Sequence, residues 1–198
     1  MPPLSKLKGV FLGSLSDCRA LYRHCLTPNG VHSSAGVEAA FLQMFKSWES
    51  LLEDCTVAFL CGHLRCDGNL VSCDTYIKSE AFARVLLYQD RKFIEWTEVD
   101  TVTGRWNNLF GASNLLEGAI KPGLTELRQM KTIRNAIAHS SPDASRRLDA
   151  LAGQQFGIPT RKLRPAFFLM RPYRDDPTRT YFDRYADVLE VAATNLTG

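Results

Sequence analysis

An arginine, an asparagine and a histidine lie within six residues at the end of a predicted helix, in the stretch IRNAIAH at residues 133–139. Asn135 and His139 are four residues apart, so on a helix they share one face and the amide can orient the imidazole. Arg134 lies five residues before His139, about 140° around the helix, so direct contact within one chain is awkward. An imidazole that exchanges protons and a guanidinium that binds phosphoryl oxygens are groups suited to phosphodiester cleavage.

The same two ionisable residues also have a purely structural interpretation. Arg134 could complement the C-terminal half of its own helix, and His139 could cap the helix by hydrogen-bonding to free carbonyls. The motif alone does not separate this interpretation from a catalytic one, so the elements around it have to be considered.

The helix that carries the motif is predicted to run from about Leu124 to a stop at residues 140–142. Ser141 can cap a following helix that has Pro142 in its first turn. Two longer helical patterns precede it, one over residues 4–26 and one from about Ser34 to a stop at Gly62. The aromatic-rich face of the second pattern is typical of helix-packing core.

The remaining segments are shorter or less regular. A turn is predicted at residues 67–69, with a short strand pair around it. The helical patterns are a weak one over residues 75–96 and short ones over 107–110 and 113–120, with a connection through 103–106. Residues 156–176 are predicted to be irregular, and a last helix is predicted to open at Asp176-Pro177. The fold class is therefore predicted to be an all-α bundle with one elaborated connection.

The motif resembles the Arg-x(4–6)-His motif of the HEPN superfamily, whose active members are metal-independent ribonucleases. A polar residue after the arginine is typical of that family, which places the motif near the end of a late helix in an all-α bundle. The second helix is similar to that of the bacterial branch found in toxin and phage-defence loci at Phe45, Trp48, Glu49 and Leu52. The resemblance implies a single HEPN-like domain over residues 1–198, in which residues 63–105 are poorly matched.

The resemblance also implies a function. It implies an RNA endonuclease of a toxin or phage-defence system, with no cofactor, whose site forms where two copies of the helix meet in a homodimer. Arg134 and His139 would be catalytic and Asn135 supporting, with Ser140 as an extra donor and Glu49 as an orienting group. The products would be a 2′,3′-cyclic phosphate and a 5′-hydroxyl, and an antitoxin or regulatory protein could be a partner. The alternative is a non-catalytic HEPN module that binds RNA, a nucleotide or a partner protein.

Charge is unevenly distributed along the chain. The 198 residues carry a net charge of +3, but residues 128–184 hold twelve Lys/Arg against five Asp/Glu. Such a balance favours an anionic partner. The predicted RNA-binding residues are Arg161, Lys162, Arg164, Arg171 and Arg174, interleaved with Phe167, Phe168, Tyr173 and Tyr181. The same residues could equally form a solvated face over a buried aromatic cluster.

The composition excludes several other classes of protein. It does not fit a disordered chain, a collagen-like repeat or a disulfide-stabilised miniprotein. No stretch approaches the roughly 18 apolar residues of a membrane span, so we expect a soluble cytoplasmic protein. The six cysteines have no framework-like spacing and are expected to be reduced thiols. Neither a Gly-rich phosphate loop nor a His-Glu-x-x-His motif is present.

A zinc site is a weaker alternative at the turn that follows the second helix. The four residues concerned, which supply zinc-binding side chains within thirteen residues, are Cys61, His63, Cys66 and Cys73. They lack the paired Cys-x(2)-Cys arrangement of common structural zinc sites, so ordinary reduced cysteines are the preferred interpretation.

Overall fold

The computed structural model of the chain describes residues 2–27, 33–73, 75–88, 96, 98–111, 115–139 and 141–198. This part of the chain is mostly helical, which confirms the all-α class. Its helices are α1 (Leu4–Leu26), α2 (Ser34–Leu60), α3 (Glu80–Tyr88), α4 (Val99–Phe110), α5 (Leu115–Ile120), α6 (Leu124–Ala138), α7 (Pro142–Phe156), α8 (Pro165–Leu169) and α9 (Tyr181–Thr197). None of them is long and apolar enough to span a membrane.

The long helices begin and end close to where the sequence predicts. The residues that recur along α1 and α2 at three- and four-residue spacings are buried, among them Phe11, Leu15, Phe41 and Trp48. Gly62, just beyond α2, has a φ of +75°, a left-handed conformation that glycine adopts without steric cost and that commonly ends a helix.

The predicted boundaries in the middle of the chain differ from the structure. The supposed connection at residues 103–106 lies inside α4, because Val102, Trp106 and Phe110 recur every four residues and are all buried. Of the described residues in the weak pattern over residues 75–96, those of α3 are helical, and residues 89–95 lie outside the described part. The short patterns at 107–110 and 113–120 correspond to the end of α4 and to α5.

The last helix opens later than the sequence predicts. Residues 176–180 form strand β2 (Asp176–Thr180), which pairs antiparallel with β1 (Pro172–Tyr173). Thr180 and Asp183 form a capping box, because each backbone N–H donates to the side chain of the other at 3.2 and 3.3 Å. This reciprocal cap fixes the start of α9 at Tyr181. The segment 156–176, predicted to be irregular, contains α8 and β1.

The chain forms two compact units, and the long helices α1, α2 and α9 contribute residues to both. The first unit comprises Met1–Gly13, Ser47–Leu124 and Glu190–Gly198. Its core includes Phe59, which packs edge-to-face on Trp106 at 5.7 Å between ring centroids. The buried indole N–H of Trp106 donates to the hydroxyl of Thr56 at 2.9 Å, which satisfies the only polar group of this side chain.

The second unit comprises Ser14–Lys46 and Thr125–Leu189, and it contains the motif helix. Tyr22 stacks on Phe182 at 4.1 Å, and its hydroxyl donates to Thr180 at 3.0 Å. Helix α6 is held on α9 by two polar contacts: the buried carboxylate of Glu126 accepts from Arg184, and the hydroxyl of Tyr185 donates to the Gln129 side chain at 3.0 Å. Further along α6, Leu127, Met130 and Ile133 are buried.

Candidate functional site

The motif lies where α6 ends and the chain turns into α7. Arg134 and Asn135 are half-buried on the last turns of α6, and His139 is the first residue beyond the helix, with its side chain exposed. The backbone N–H of His139 donates to the carbonyl of Asn135 at 2.9 Å. Ser141 caps α7, as predicted, by accepting from the N–H of Ala144 at 3.2 Å. Ser140 lies outside the described residues.

Arg134 and Asn135 contact each other through their side chains. A guanidinium N–H of Arg134 donates to the amide oxygen of Asn135 at 3.0 Å. The sequence predicts that this amide can orient the imidazole of His139, but the side-chain hydrogen bond that the structure gives it is with Arg134. Within one chain the guanidinium is therefore held beside its neighbour on the helix, in keeping with the 140° separation from His139.

His139 opens onto a cleft of about 750 Å³ within the second unit. That volume is in the range of small-molecule and cofactor pockets. The cleft is lined by Ala136, His139, Ser141, Pro142, Ser145, Arg146, Leu148, Asp149, Arg161, Lys162, Leu163, Arg164 and Pro165. Arg134 is not among these residues. The cleft therefore combines an imidazole with four cationic side chains and an apolar wall.

A carboxylate on α7 holds the basic loop of the cleft, residues 160–164. The two oxygens of Asp149 accept from the backbone N–H groups of Lys162, at 2.8 Å, and Leu163, at 3.0 Å. The hydroxyl of Thr160 donates to the backbone carbonyl of Asp149 at 3.0 Å. Lys162 has a φ of +54°, a left-handed conformation that costs a lysine of order 1 kcal/mol. These three hydrogen bonds fix the loop and keep Lys162 in its strained conformation.

The cations of the cleft differ in how they are paired. Arg146 forms an ion pair with Asp143 at 3.1 Å, but both side chains are more than half exposed, so the pair contributes little stability. Among the described residues, Arg161, Lys162 and Arg164 have no carboxylate partner, and all three side chains are exposed. Their charges are thus available to an anion that enters the cleft.

The other two predicted RNA-binding residues do not line this cleft. The guanidinium of Arg171 lies over the ring of Phe156, 5.0 Å from its centroid. Arg174, in the turn between β1 and β2, pairs with Asp175 at 3.3 Å, and both side chains are exposed. Of the five predicted RNA-binding residues, only Arg161, Lys162 and Arg164 line the same cleft as His139.

The aromatic residues predicted to accompany these cations are mostly buried. Phe168 and Tyr181 belong to the core, with 4.8 Å between their ring centroids, and Tyr173 is half-buried against Tyr181 at 5.2 Å. Phe167 is the exception, because half of it is exposed.

Two further groups from the sequence analysis lie in the first unit. Glu49 is on the segment of α2 that belongs to that unit, and its predicted role as an orienting group stays a prediction. In the described part of the chain, no three His, Cys, Asp or Glu side chains are grouped closely enough to hold a metal ion, which counts against zinc at Cys61, His63, Cys66 and Cys73. The thiol of Cys73 donates instead to the carbonyls of Thr75 and Leu109, at 3.3 and 3.5 Å. All six cysteines are free thiols.

Sequence reasoning missed Asp149 and Arg146. Asp149 is separated by thirteen residues from the first amide that it binds, and it carries no pattern that distinguishes it from any other helical carboxylate. Arg146 follows the predicted cap of α7 by five residues, and helical spacing from Pro142 could have placed it near His139.

Comparisons with family models, with curated proteins and with solved structures find no match to this chain. The HEPN assignment therefore stays a prediction that rests on the motif and on the helical architecture.

Proposed function

We propose that the protein is a metal-independent RNA endonuclease that acts as a homodimer. The observation that carries this proposal is the cleft that is lined by the exposed imidazole of His139 together with Arg161, Lys162 and Arg164. These three cations have no carboxylate partner among the described residues, so a phosphodiester can take that place. The role in a toxin or phage-defence system is part of the same proposal and rests on the resemblance alone.

In the proposed reaction, His139 accepts the proton of a ribose 2′-hydroxyl. The freed oxygen forms a bond to the adjacent phosphorus while the bond from phosphorus to the 5′-oxygen breaks. The imidazolium of His139 formed in this way gives its proton to that leaving oxygen. The products are a 2′,3′-cyclic phosphate and a 5′-hydroxyl. Guanidinium groups stabilise the charge that develops on the phosphoryl oxygens, because their N–H donors match the geometry of a phosphate.

The dimer is needed to bring Arg134 to the phosphate. In one chain its guanidinium bonds to Asn135 and does not line the cleft that holds His139. A second motif helix placed across the cleft supplies an arginine without requiring either helix to deform. Asn135 then has a positioning role, because its amide oxygen holds the guanidinium of Arg134.

Cleavage of total RNA by the purified protein in EDTA tests the proposal. We expect fragments with cyclic-phosphate ends from the wild type and loss of at least 100-fold in rate for His139→Ala, the usual contribution of a general acid or base. His24→Ala is the matched control, because His24 is another exposed histidine of the same unit that lies on α1. Cleavage that survives His139→Ala, or that requires a divalent metal, contradicts the proposal.

Mixed dimers test whether Arg134 acts across the interface. A dimer of one Arg134→Ala chain and one His139→Ala chain contains a single intact arginine and a single intact histidine, on different chains. If the arginine acts in trans, mixing the two inactive proteins restores part of the activity. If it acts within its own chain, the mixture stays inactive and the composite site is wrong.

The second candidate function is binding of RNA without cleavage. It is favoured by the bond between Arg134 and Asn135, since a guanidinium occupied within its own chain leaves the cleft with binding cations but no motif arginine. This candidate predicts that wild type and His139→Ala both bind single-stranded RNA and that neither cleaves it.

A further inference from the structure

Two adjacent phenylalanines on α8 have opposite environments. Phe168 is fully buried, with its ring 5.0 Å from that of Phe156, whereas Phe167 is 49% exposed. No ring among the described residues stacks on Phe167. About half of the surface of Phe167 is therefore in contact with water, and an exposed aromatic ring is a group on which a planar ligand can stack.

In the sequence, Phe167 lies between two arginines, Arg164 and Arg171. Arg164 directly precedes α8, and its carbonyl accepts from the N–H of Phe167 at 3.0 Å, so the two residues are one helical turn apart. Arg171 follows α8, where its N–H donates to the carbonyl of Phe168 at 3.2 Å and its guanidinium rests on the ring of Phe156. Both arginines are exposed, and neither has a carboxylate partner in the described part of the chain.

We propose that Phe167 is a base-stacking position for single-stranded RNA, with Arg164 and Arg171 binding the phosphates on either side of the stacked nucleotide. An aromatic ring between cationic side chains matches a polymer that alternates planar bases and anionic phosphates. The bases of a duplex are covered by their neighbours, so the ring is accessible only to a single strand.

This stacking position is continuous with the cleft of His139. Arg164 lines the cleft and also begins the turn that carries Phe167. A strand that binds in the cleft can therefore continue past Arg164 towards Phe167. The inference rests on the proposed function in naming RNA as the ligand, but it concerns binding and does not require cleavage.

Fluorescence anisotropy with a labelled single-stranded 2′-O-methyl oligoribonucleotide tests the inference, because this probe has no free 2′-hydroxyl to attack the phosphate. We expect Phe167→Ala to weaken binding about tenfold, within the range found when one stacking residue is removed. Phe167→Leu keeps an apolar side chain without an aromatic face and is expected to lose nearly as much, whereas Phe167→Trp retains the affinity. Val191→Ala, at a residue of similar exposure in the first unit, is the matched control and is expected to bind like the wild type.

Wild-type affinity in both Phe167→Ala and Phe167→Leu overturns the stacking position, as does an equal loss of affinity for double-stranded RNA. The outcome for cleavage is separate. A protein that never cleaves RNA but depends on Phe167 for binding retains this inference and loses the nuclease proposal. A protein that cleaves RNA through His139 but binds it without Phe167 retains the nuclease proposal and loses this inference. Failure of the wild type to bind the probe refutes the stacking position.

Discussion

Replacement of Asp149 tests whether the proposed binding of RNA by the basic loop depends on the loop being held in place or only on its charge. The carboxylate accepts two backbone N–H bonds, from Lys162 at 2.8 Å and Leu163 at 3.0 Å. Hydrogen bonds to charged groups contribute about 1.5–3 kcal/mol each when buried. The first of these is exposed and the second part-buried, so we take about 1 kcal/mol for each. Asp149→Ala should therefore cost about 2 kcal/mol, and Asp149→Asn, which keeps one acceptor oxygen, about half of that.

The two explanations predict opposite changes in RNA affinity. Removal of a negative charge from a cationic cleft should strengthen binding of a phosphodiester by Coulomb's law. Release of the loop should weaken RNA binding, because only the fraction of molecules with the loop in place can bind the RNA. Since about 2 kcal/mol corresponds to roughly a 30-fold shift in the loop equilibrium, we expect Asp149→Ala to bind single-stranded RNA severalfold more weakly than the wild type.

Thermal unfolding and anisotropy on the same samples make the test quantitative. A loss of 2 kcal/mol in a chain of this size lowers Tm by about 4–8 °C. Asp143→Asn is the matched control, because Asp143 is an exposed carboxylate at the start of α7 whose partners are the side chains of Arg146 and Arg147. Tighter RNA binding by Asp149→Ala with an unchanged Tm would refute the idea that Asp149 holds the loop in place and would leave charge as the explanation.

Three further predictions concern the packing that supports the site and the core. A Cβ at Gly36 would lie 2.5 Å from the sulfur of Cys25, so Gly36→Ala should cost about 1–3 kcal/mol in urea unfolding, and Cys25→Ala in the same chain should recover most of it. Burial raises the pKa of Tyr22 from 10 to about 12 in the folded state, so the stability that its neutral hydroxyl contributes is fully present below pH 10 and is lost as the pH rises to 12. The free energy of unfolding of Tyr22→Phe should therefore fall less steeply over this pH range than that of the wild type. Thr56→Val leaves the buried indole N–H of Trp106 without its acceptor and should cost about 1–3 kcal/mol, whereas the same change in a Trp106→Phe background should cost less.

The helices could be predicted wherever apolar residues recur on a single buried face. The stripes of α1, α2 and α6 are of this kind, and their bounds differ little from the prediction. Prediction failed where local signals conflicted. Gly104 suggested a break, but α4 continues through it because the buried side chains of Val102 and Trp106 hold the helix on both sides. Asp176-Pro177 is a plausible helix start, yet both residues lie in strand β2, where the Asp176 carboxylate accepts from the backbone N–H and the hydroxyl of Thr178.

Burial within the basic segment could not be read from the sequence. Phe167 and Phe168 are neighbours of the same type, and hydropathy treats them alike. Their environments differ because adjacent residues on a helix point about 100° apart, and only one of these directions meets Phe156 and Tyr181. The helix that fixes these directions is five residues long, too short to show a periodic pattern.

Spacing along one helix singled out His139 as a candidate, but it could not indicate which cations line the same cleft. His139 lies one residue beyond α6, where the helical relation to Arg134 no longer determines what its side chain meets. The cations that share its cleft come instead from the loop after α7, which is held by the Asp149 carboxylate. Under the proposed function, a phosphodiester at His139 would be bound within one chain by Arg161, Lys162 and Arg164. In the proposed dimer Arg134 joins this set from the second chain, so affinity for RNA and the rate of cleavage should respond to different arginines.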